Sequence, residues 1–368
     1  MIIRQTEIYK NPVRLKEPFV ISLGTVCFAD NVIVIIRTDS GISGYGECSP
    51  FMKINGETGD TCMIVGRCLA KALLGQNPLN IAECSQLMDN IIYGNSSIKS
   101  AFDIAIYDIA SQNAQIPLYE FLGGRNNKNL ITDYTVSIGG PQKMAEDALR
   151  IKESGFEIIK VKLGDTPEKD IERISEIRRS VGDYIDIRID ANQGWEKQEA
   201  IEFLTAMETF NIQFCEEPVA RWDFLELPGI REHSPVPLMA DESCSDHHDA
   251  KRLIGINACD YLNVKLGKSS GITNALKIVK LAGNSGMNLQ VGGFLESRLG
   301  FTASAHLALT SDNIIYYDFD SPLMLADDPV TGGICYGDGG SVLVPDTPGL
   351  GASVDEKYLK NLDKIVIN

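Results

Sequence analysis

No run of this chain approaches the ~20 apolar residues that a membrane span needs. Basic residues are also in deficit: 34 Lys and Arg stand against 50 Asp and Glu, a formal net charge of -16 in 368 residues. Like charges repel, so nucleic acid and anionic membrane surfaces are excluded as expected partners. The nine cysteines form an odd set with no CxxC spacing, and most lie in apolar segments. Buried free thiols are therefore expected, and neither a disulfide framework nor a zinc site has support. The opening MIIRQTEIYKN has no signal-peptide core, so a cytoplasmic location is expected.

What is present is a normal interior, with 44% hydrophobic residues, in a chain longer than one core usually serves. Residues 2–9, 19–27 and 31–38 read as strands, with a turn at Asp39-Ser40-Gly41, and 59–74, 80–93 and 97–113 read as helices. An α+β domain over 1–123 follows. Eight further runs, 132–138, 158–163, 186–191, 212–216, 238–241, 261–266, 288–292 and 314–319, alternate with helical stretches such as 142–154 and 168–180. That alternation predicts a (β/α)7–8 barrel over 124–320. A Gly- and Pro-rich segment, 321–368, with a strand in SVLVP at 341–345, is expected to return and complete the first domain.

Five signatures sit at the ends of successive apolar runs: Lys160-Val161-Lys162, Asp190-Ala191-Asn192, Glu216-Glu217-Pro218, Asp241-Glu242-Ser243 and Lys265. From Lys162 the steps are 28, 26, 25 and 24 residues, each the length of one strand plus one helix. In such a barrel the C-terminal strand ends share one mouth. Any one carboxylate alone would read as a helix cap. As a set, Asp190, Glu216 and Asp241 present three hard oxygen ligands suited to one Mg²⁺ per subunit. Lys160 and Lys162, two apart on a strand, project to the same interior face. They read as counter-ions to the acids, or Lys162 reads as a base with its amine made available by Lys160 and the metal. Lys265 would face Lys162 across the pocket, while Lys268 stands between a site residue and a solvated loop charge.

Two bases flanking a metal-bound carboxylate imply removal of an α-proton, stabilisation of an enediolate, and reprotonation from the opposite side, which is epimerisation. Asp318-Phe319-Asp320 ends the eighth run and reads as a turn, a second metal site or a clamp for a cation. A carboxylate at the metal and an ammonium several bonds away describe a dipeptide.

These residues resemble the enolase superfamily, and within it the dipeptide epimerases of the muconate lactonizing enzyme subgroup. The resemblance spans nearly the whole chain and includes Asn263-Val264-Lys265-Leu266. It implies Mg²⁺ on Asp190, Glu216 and Asp241, acid/base roles for Lys162 and Lys265, and an ammonium held by Asp318 and Asp320. Lys160, Thr135, Asn192, Glu296 and Gly24 complete the expected substrate-binding set, with a homo-oligomer expected. Loops around Val20–Val26 and Cys48–Glu57 would choose the side chain. Ala-Glu epimerases carry an arginine in the first loop where this chain has Gly24, and only Lys16 and Lys53 offer a nearby cation. The expectation is therefore Ala followed by a small, apolar or uncharged residue. A synthase or cycloisomerase of the same subgroup, an inactive metal-binding scaffold and a pyridoxal-phosphate racemase are the alternatives. The eighth-run aspartates, the paired lysines and the three downstream carboxylates weigh against them in that order.

Overall fold

The computed structural model describes residues 1–368. Strands β1 (Ile3–Ile21), β2 (Gly24–Thr38) and β3 (Ser43–Cys48) form an antiparallel meander, backed by helices α1 (Gly59–Leu73), α2 (Ile81–Ile91) and α3 (Ser96–Ala114). The first hairpin is longer than the expected strands 2–9 and 19–27. The intervening KNPVRLKEP contains two prolines, yet its residues alternate: Asn11, Val13 and Leu15 are buried while Pro12, Arg14 and Lys16 are exposed. That period-2 pattern continues the strand. Pairing of β1 with its outer neighbour ends at Tyr9, so Pro12 lies where that edge is free and its missing N–H breaks no ladder there.

Strand β3 lies directly on α3. Gly44 and Gly46 face the helix so closely that a Cβ on either would strike the Ala105 or Ala101 carbonyl oxygen. Asp108 in α3 accepts from Tyr45 N (2.9 Å) and Leu350 N (2.8 Å), and Asp103 accepts from Thr273 N (3.0 Å) and Thr273 Oγ1 (2.7 Å). These buried acids tie the cap helix to the rest of the chain.

After a short β4 (Leu130–Ile131) come β5 (Tyr134–Val136), β6 (Ile158–Lys162), β7 (Asp186–Asp190), β8 (Ile212–Glu216), β9 (Leu238–Ala240), β10 (Tyr261–Lys265), β11 (Asn288–Gly292) and β12 (Ile314–Tyr317). They run parallel in sequence order as one eight-stranded barrel sheet. The ends, β5 and β12, meet without a backbone ladder. Side chains close the seam: Phe319 N donates to Thr132 Oγ1 (2.7 Å) and Thr135 N donates to Asp320 Oδ2 (2.7 Å). Arg188 reaches both sides, donating to Asp133 Oδ2 (2.8 Å) and Tyr317 O (2.9 Å).

The last segment divides its allegiance. Strand β13 (Val330–Gly332) pairs with β16 (Ala352–Val354), and β14 (Cys335–Tyr336) pairs with β15 (Ser341–Leu343), which pairs in turn with β4. The SVLVP strand therefore packs beside the barrel, not in the first domain as expected. Of its strands only β17 (Lys364–Ile367) joins the first sheet, pairing with β1, while Leu325 bridges Leu15 and Leu350 N donates to Asp108. No helix is long and apolar enough to cross a membrane.

His306, fully buried, accepts from Tyr119 N through Nδ1 (3.1 Å), and its Nε2 faces Leu350 O at 3.1 Å. Burial lowers it from the ordinary 6.5 to about 4. The unfolded chain thus binds the proton first, and stability falls as pH drops from about 6.5 to about 4, by roughly 3 kcal/mol. His306→Gln, which cannot titrate, should be less stable than wild type at pH 7 but close that gap by pH 4.5, as urea midpoints would register.

Candidate active site

Both faces of the barrel strands are covered, so the sequence there is apolar except where a side chain points inward at the mouth. In β6, Ile159 and Val161 face the helices while Lys160 and Lys162 alternate to the interior, 1% and 7% exposed. Interior amines at that depth require acids. Lys160 Nζ lies 2.8 Å from Asp318 Oδ2, 2.8 Å from Glu216 Oε2 and 3.2 Å from Asp190 Oδ2. Lys162 Nζ lies 2.6 Å from Asp190 Oδ2, and Lys265 Nζ 2.6 Å from Asp241 Oδ2. Lys268 is no solvated loop charge: it is 3% exposed, 2.6 Å from Asp241 Oδ1, and also donates to the Asp241 carbonyl.

Lys162 and Lys265 come from strands four apart and line one cavity together with Thr135, Asn192, Asp318 and Asp320. Its remaining walls are largely apolar: Phe19 and Ile21 from β1, Phe51 and Ile54 from the loop after β3, and Phe294 and Leu295 after β11. The Phe19 ring centroid lies 5.8 Å from Lys162 Nζ and that of Phe294 5.1 Å from Lys265 Nζ. Cap residues hold this second wall. Glu47 accepts from Ser297 N (3.0 Å), Ser297 Oγ (2.7 Å) and Gly300 N (2.9 Å), at the start of the helix Arg298–Ala308. Asn31 Nδ2 donates to Glu47 and to Leu295 O, each at 2.9 Å.

Three residues of the expected substrate-binding set do not line this cavity, Lys160 lying among the acids as described and the other two elsewhere. Gly24, at φ 127, sits just past the hairpin turn and lines a neighbouring groove with Lys53, whose amine caps the Leu23 carbonyl. Glu296 folds back to accept from Phe294 N (2.6 Å) and stays behind the wall, where burial pushes it up to about 7. Neither cation near the first loop faces the cavity, since Lys16 donates to Leu323 O.

Charge in this water-poor mouth is unevenly balanced. Burial alone would raise Asp190 and Asp241, but the adjoining lysines hold both below the usual carboxylate range. Burial and the charge of Asp190 push Glu216 up to about 7. Lys265 stands above its ordinary value because Asp241 and Glu216 outweigh its burial. Burial and Asp318 push Asp320 up to about 7, whereas Lys160 holds Asp318 low against its burial.

A supporting ring of polar groups stands behind the acids; Asn192 was expected at the site and Glu217, Glu242, Ser243 and Asn263 lay in the motifs without a role, while Gln290 had no reading at all. Glu216 accepts from Asn263 Nδ2 (2.7 Å) and Gln290 Nε2 (3.4 Å); Glu217 accepts from Asp241 N (2.6 Å) and from Ser243; Glu242 accepts from Asn192 Nδ2 (3.2 Å). Asn263 had a usable signal, being two residues before Lys265 and so on the same strand face. Asn192, Gln193 and Glu217 adopt left-handed backbone at φ 42, 70 and 37, strained conformations gathered at this mouth. Asp133, just before β5, was also missed. Its oxygens and those of Asp318 and Asp320 fall within 4.8 Å of one another. Asp190, Glu216 and Asp241 form no such tight cluster, with Lys160, Lys162 and Lys265 paired to their oxygens.

A sequence profile described as "Enolase C-terminal domain-like" matches residues 143–358, and one described as "Mandelate racemase / muconate lactonizing enzyme, N-terminal domain" matches residues 3–123. The chain belongs to this enolase-like family. Among its relatives is a D-Ala-D/L-Ala epimerase from Cytophaga hutchinsonii, 61% identical over the full length of both chains. A hydrophobic dipeptide epimerase from Enterococcus faecalis is 39% identical over 91% of this chain and 94% of its own. The crystal structure of a dipeptide epimerase from Cytophaga hutchinsonii complexed with Mg and D-Ala-L-Val superposes with a TM-score of 0.99 at 60% identity, covering all of both chains. The substrate-liganded L-Ala-D/L-Glu epimerase from Bacillus subtilis gives 0.93 at 39%, covering 96% of this chain and 99% of that one.

Lys160→Met in this family member would leave three buried carboxylates facing one another without their shared amine. Folding stability in the presence of a chelator should drop by about 3 to 5 kcal/mol. An unchanged urea midpoint would contradict the counter-ion role.

Proposed function

We propose that this chain is a Mg²⁺-dependent dipeptide epimerase that inverts the α-carbon of the C-terminal residue, acting on Ala-Xaa with a small, apolar or uncharged Xaa. One observation carries the reading: Lys162 and Lys265, on strands four apart, line a single cavity whose other charged members, Asp318 and Asp320, suit an ammonium.

The donor set at Asp190, Glu216 and Asp241 fits a hard divalent cation. All three are hard carboxylates, at most 1% exposed, delivered to one rim by the ends of the successive strands β7, β8 and β9. Burial and Asp190 still push Glu216 up to about 7 although Lys160 lies 2.8 Å away, so the lysines leave room for further positive charge at this acid. Asp133, Asp318 and Asp320 suit the metal less, since Asp133 Oδ2 is held by Arg188, whose charge is permanent, and Asp320 Oδ2 is committed to the Thr135 amide. When bound by Asp190, Glu216 and Asp241, Mg²⁺ supplies the positive charge that makes the α-proton of a carboxylate acidic enough for an amine.

The chain's own groups do the rest. Asp318 and Asp320 hold the ammonium end and fix the register of the substrate across the cavity. Lys162 Nζ and Lys265 Nζ then flank the α-carbon. One removes the proton as a free amine and the other donates one as an ammonium, with roles exchanged in the reverse direction. The rings of Phe19 and Phe294 keep water from the two amines. The apolar walls accept a small or hydrophobic Xaa, and no wall cation is free to pair with a Glu side chain.

In D₂O, Lys162→Ala and Lys265→Ala should each lose epimerisation by roughly a hundred- to ten-thousandfold while retaining α-proton exchange from one epimer only. NMR would follow it, and exchange of both epimers in either variant would defeat the two-base assignment. Mg²⁺ should also raise the melting temperature of wild type, since it binds the folded chain, and should have little effect on Asp241→Asn. Calorimetric scans that respond equally in both proteins would place the cation elsewhere.

A further inference from the structure

Asp133 has no assigned role, yet it is fully buried and belongs to the tightest acidic cluster in the molecule. Its Oδ2 is held by Arg188 at 2.8 Å, and its Oδ1 has no hydrogen-bond partner. Arg188 is itself fixed, donating to Gln213 Oε1 (2.9 Å) and Tyr317 O (2.9 Å) and lying 5.4 and 5.0 Å from the rings of Phe214 and Tyr316. Lys160 supplies the other cation, on Asp318. With all three aspartates ionised, as in the state with a cation bound, the count is three against at most two fixed cations, Lys160 being shared with Glu216 and Asp190, a deficit of at least one positive charge.

We infer that Asp133 is the third acid of the ammonium clamp: a positioning residue that, with Arg188 as its tether, sets the net charge of the Asp133–Asp318–Asp320 cluster at minus one, the complement of a single substrate ammonium. The inference rests on the dipeptide reading above and deepens it. Asp318 and Asp320 line the cavity, whereas Asp133 lies behind them, so its charge acts through them and across a short low-dielectric path. Two aspartates with both cations in place would make a neutral cluster, with no preference for an ammonium over an uncharged group. Arg188 keeps the excess at one; without it the cluster would call for a divalent ion. Burial and the charge of Asp318 also hold Asp133 well above the usual carboxylate range, the behaviour of an acid whose cation arrives with the ligand.

The experiment is steady-state epimerisation of Ala-Ala by full-length enzyme with saturating Mg²⁺. Asp133→Asn should raise KM roughly ten- to a hundredfold with kcat within about threefold of wild type. The double variant Asp133→Asn/Arg188→Gln, which restores the count to minus one, should bring KM back to within about threefold of wild type. A purely structural role can give the same rescue, since removing both halves of a buried ion pair strands neither charge, so the deciding variant is Arg188→Gln: a charge role lowers its KM, whereas a structural role raises it by stranding Asp133. An unchanged KM in Asp133→Asn, or a double variant no better than the single one, overturns the inference while leaving the epimerase reading intact. Wild-type enzyme that turns over no dipeptide defeats the reading beneath it. Should Asp133→Asn fail to fold, Arg188→Gln alone takes the count to minus two and should lower KM, and a KM equal to or above wild type overturns the inference.

Discussion

The constraint on which this molecule turns is the confinement of many formal charges in a space that water barely enters. Lys160, at 1% exposure, touches acids from three strands, and Asp190, Glu216 and Asp241 depend on it, Lys162 and Lys265 for their counter-charge. Groups so placed hold position because leaving would strand a partner unpaired. The polar ring of Asn263, Gln290, Glu217 and Glu242 serves the same end, aiming the acids by hydrogen bonds that solvent cannot compete for. A barrel is well suited to this, since each stave delivers one side chain to a common rim and the apolar exterior fixes its height.

The cap contributes differently. Glu47 and Asn31 reach across from the meander to hold the Leu295–Gly300 region, so the wall over Lys265 is as much a product of the cap as of the barrel. Phe19 and Ile21 arrive from β1 itself. The amines therefore belong to one part of the chain, and much of the surface that meets a side chain belongs to the other.

Legibility in the sequence followed the same division. The barrel strands could be read because burial on both faces forces short apolar runs, and the charged residues ending those runs had no other reason to be there. Boundaries moved by a residue or two. The long hairpin was obscured by Pro12 and Pro18, which look like breaks until the alternation of Asn11, Val13 and Leu15 is followed through them. Gly24 and Glu296 were misplaced because chain proximity to a loop does not say which way it faces. Asp133 carried no run or motif of its own, and its closeness to Asp318 and Asp320 emerges only when the first and last staves are brought side by side. SVLVP reads as a strand from composition, but the choice between two available edges is a tertiary matter.

The junction of β5 with β12 is built unlike the others. Every other pair of staves is laced by backbone, while this one is fastened by Thr132, Thr135, Arg188 and Asp320. In the proposed role Asp320 is both rivet and receptor: one of its oxygens already accepts from an amide, leaving a restricted arc for any guest. Selection for a new guest at that end of the cavity is accordingly also selection on the mechanical closure of the cylinder, and mutations there should be rarer survivors than mutations among the aromatic walls.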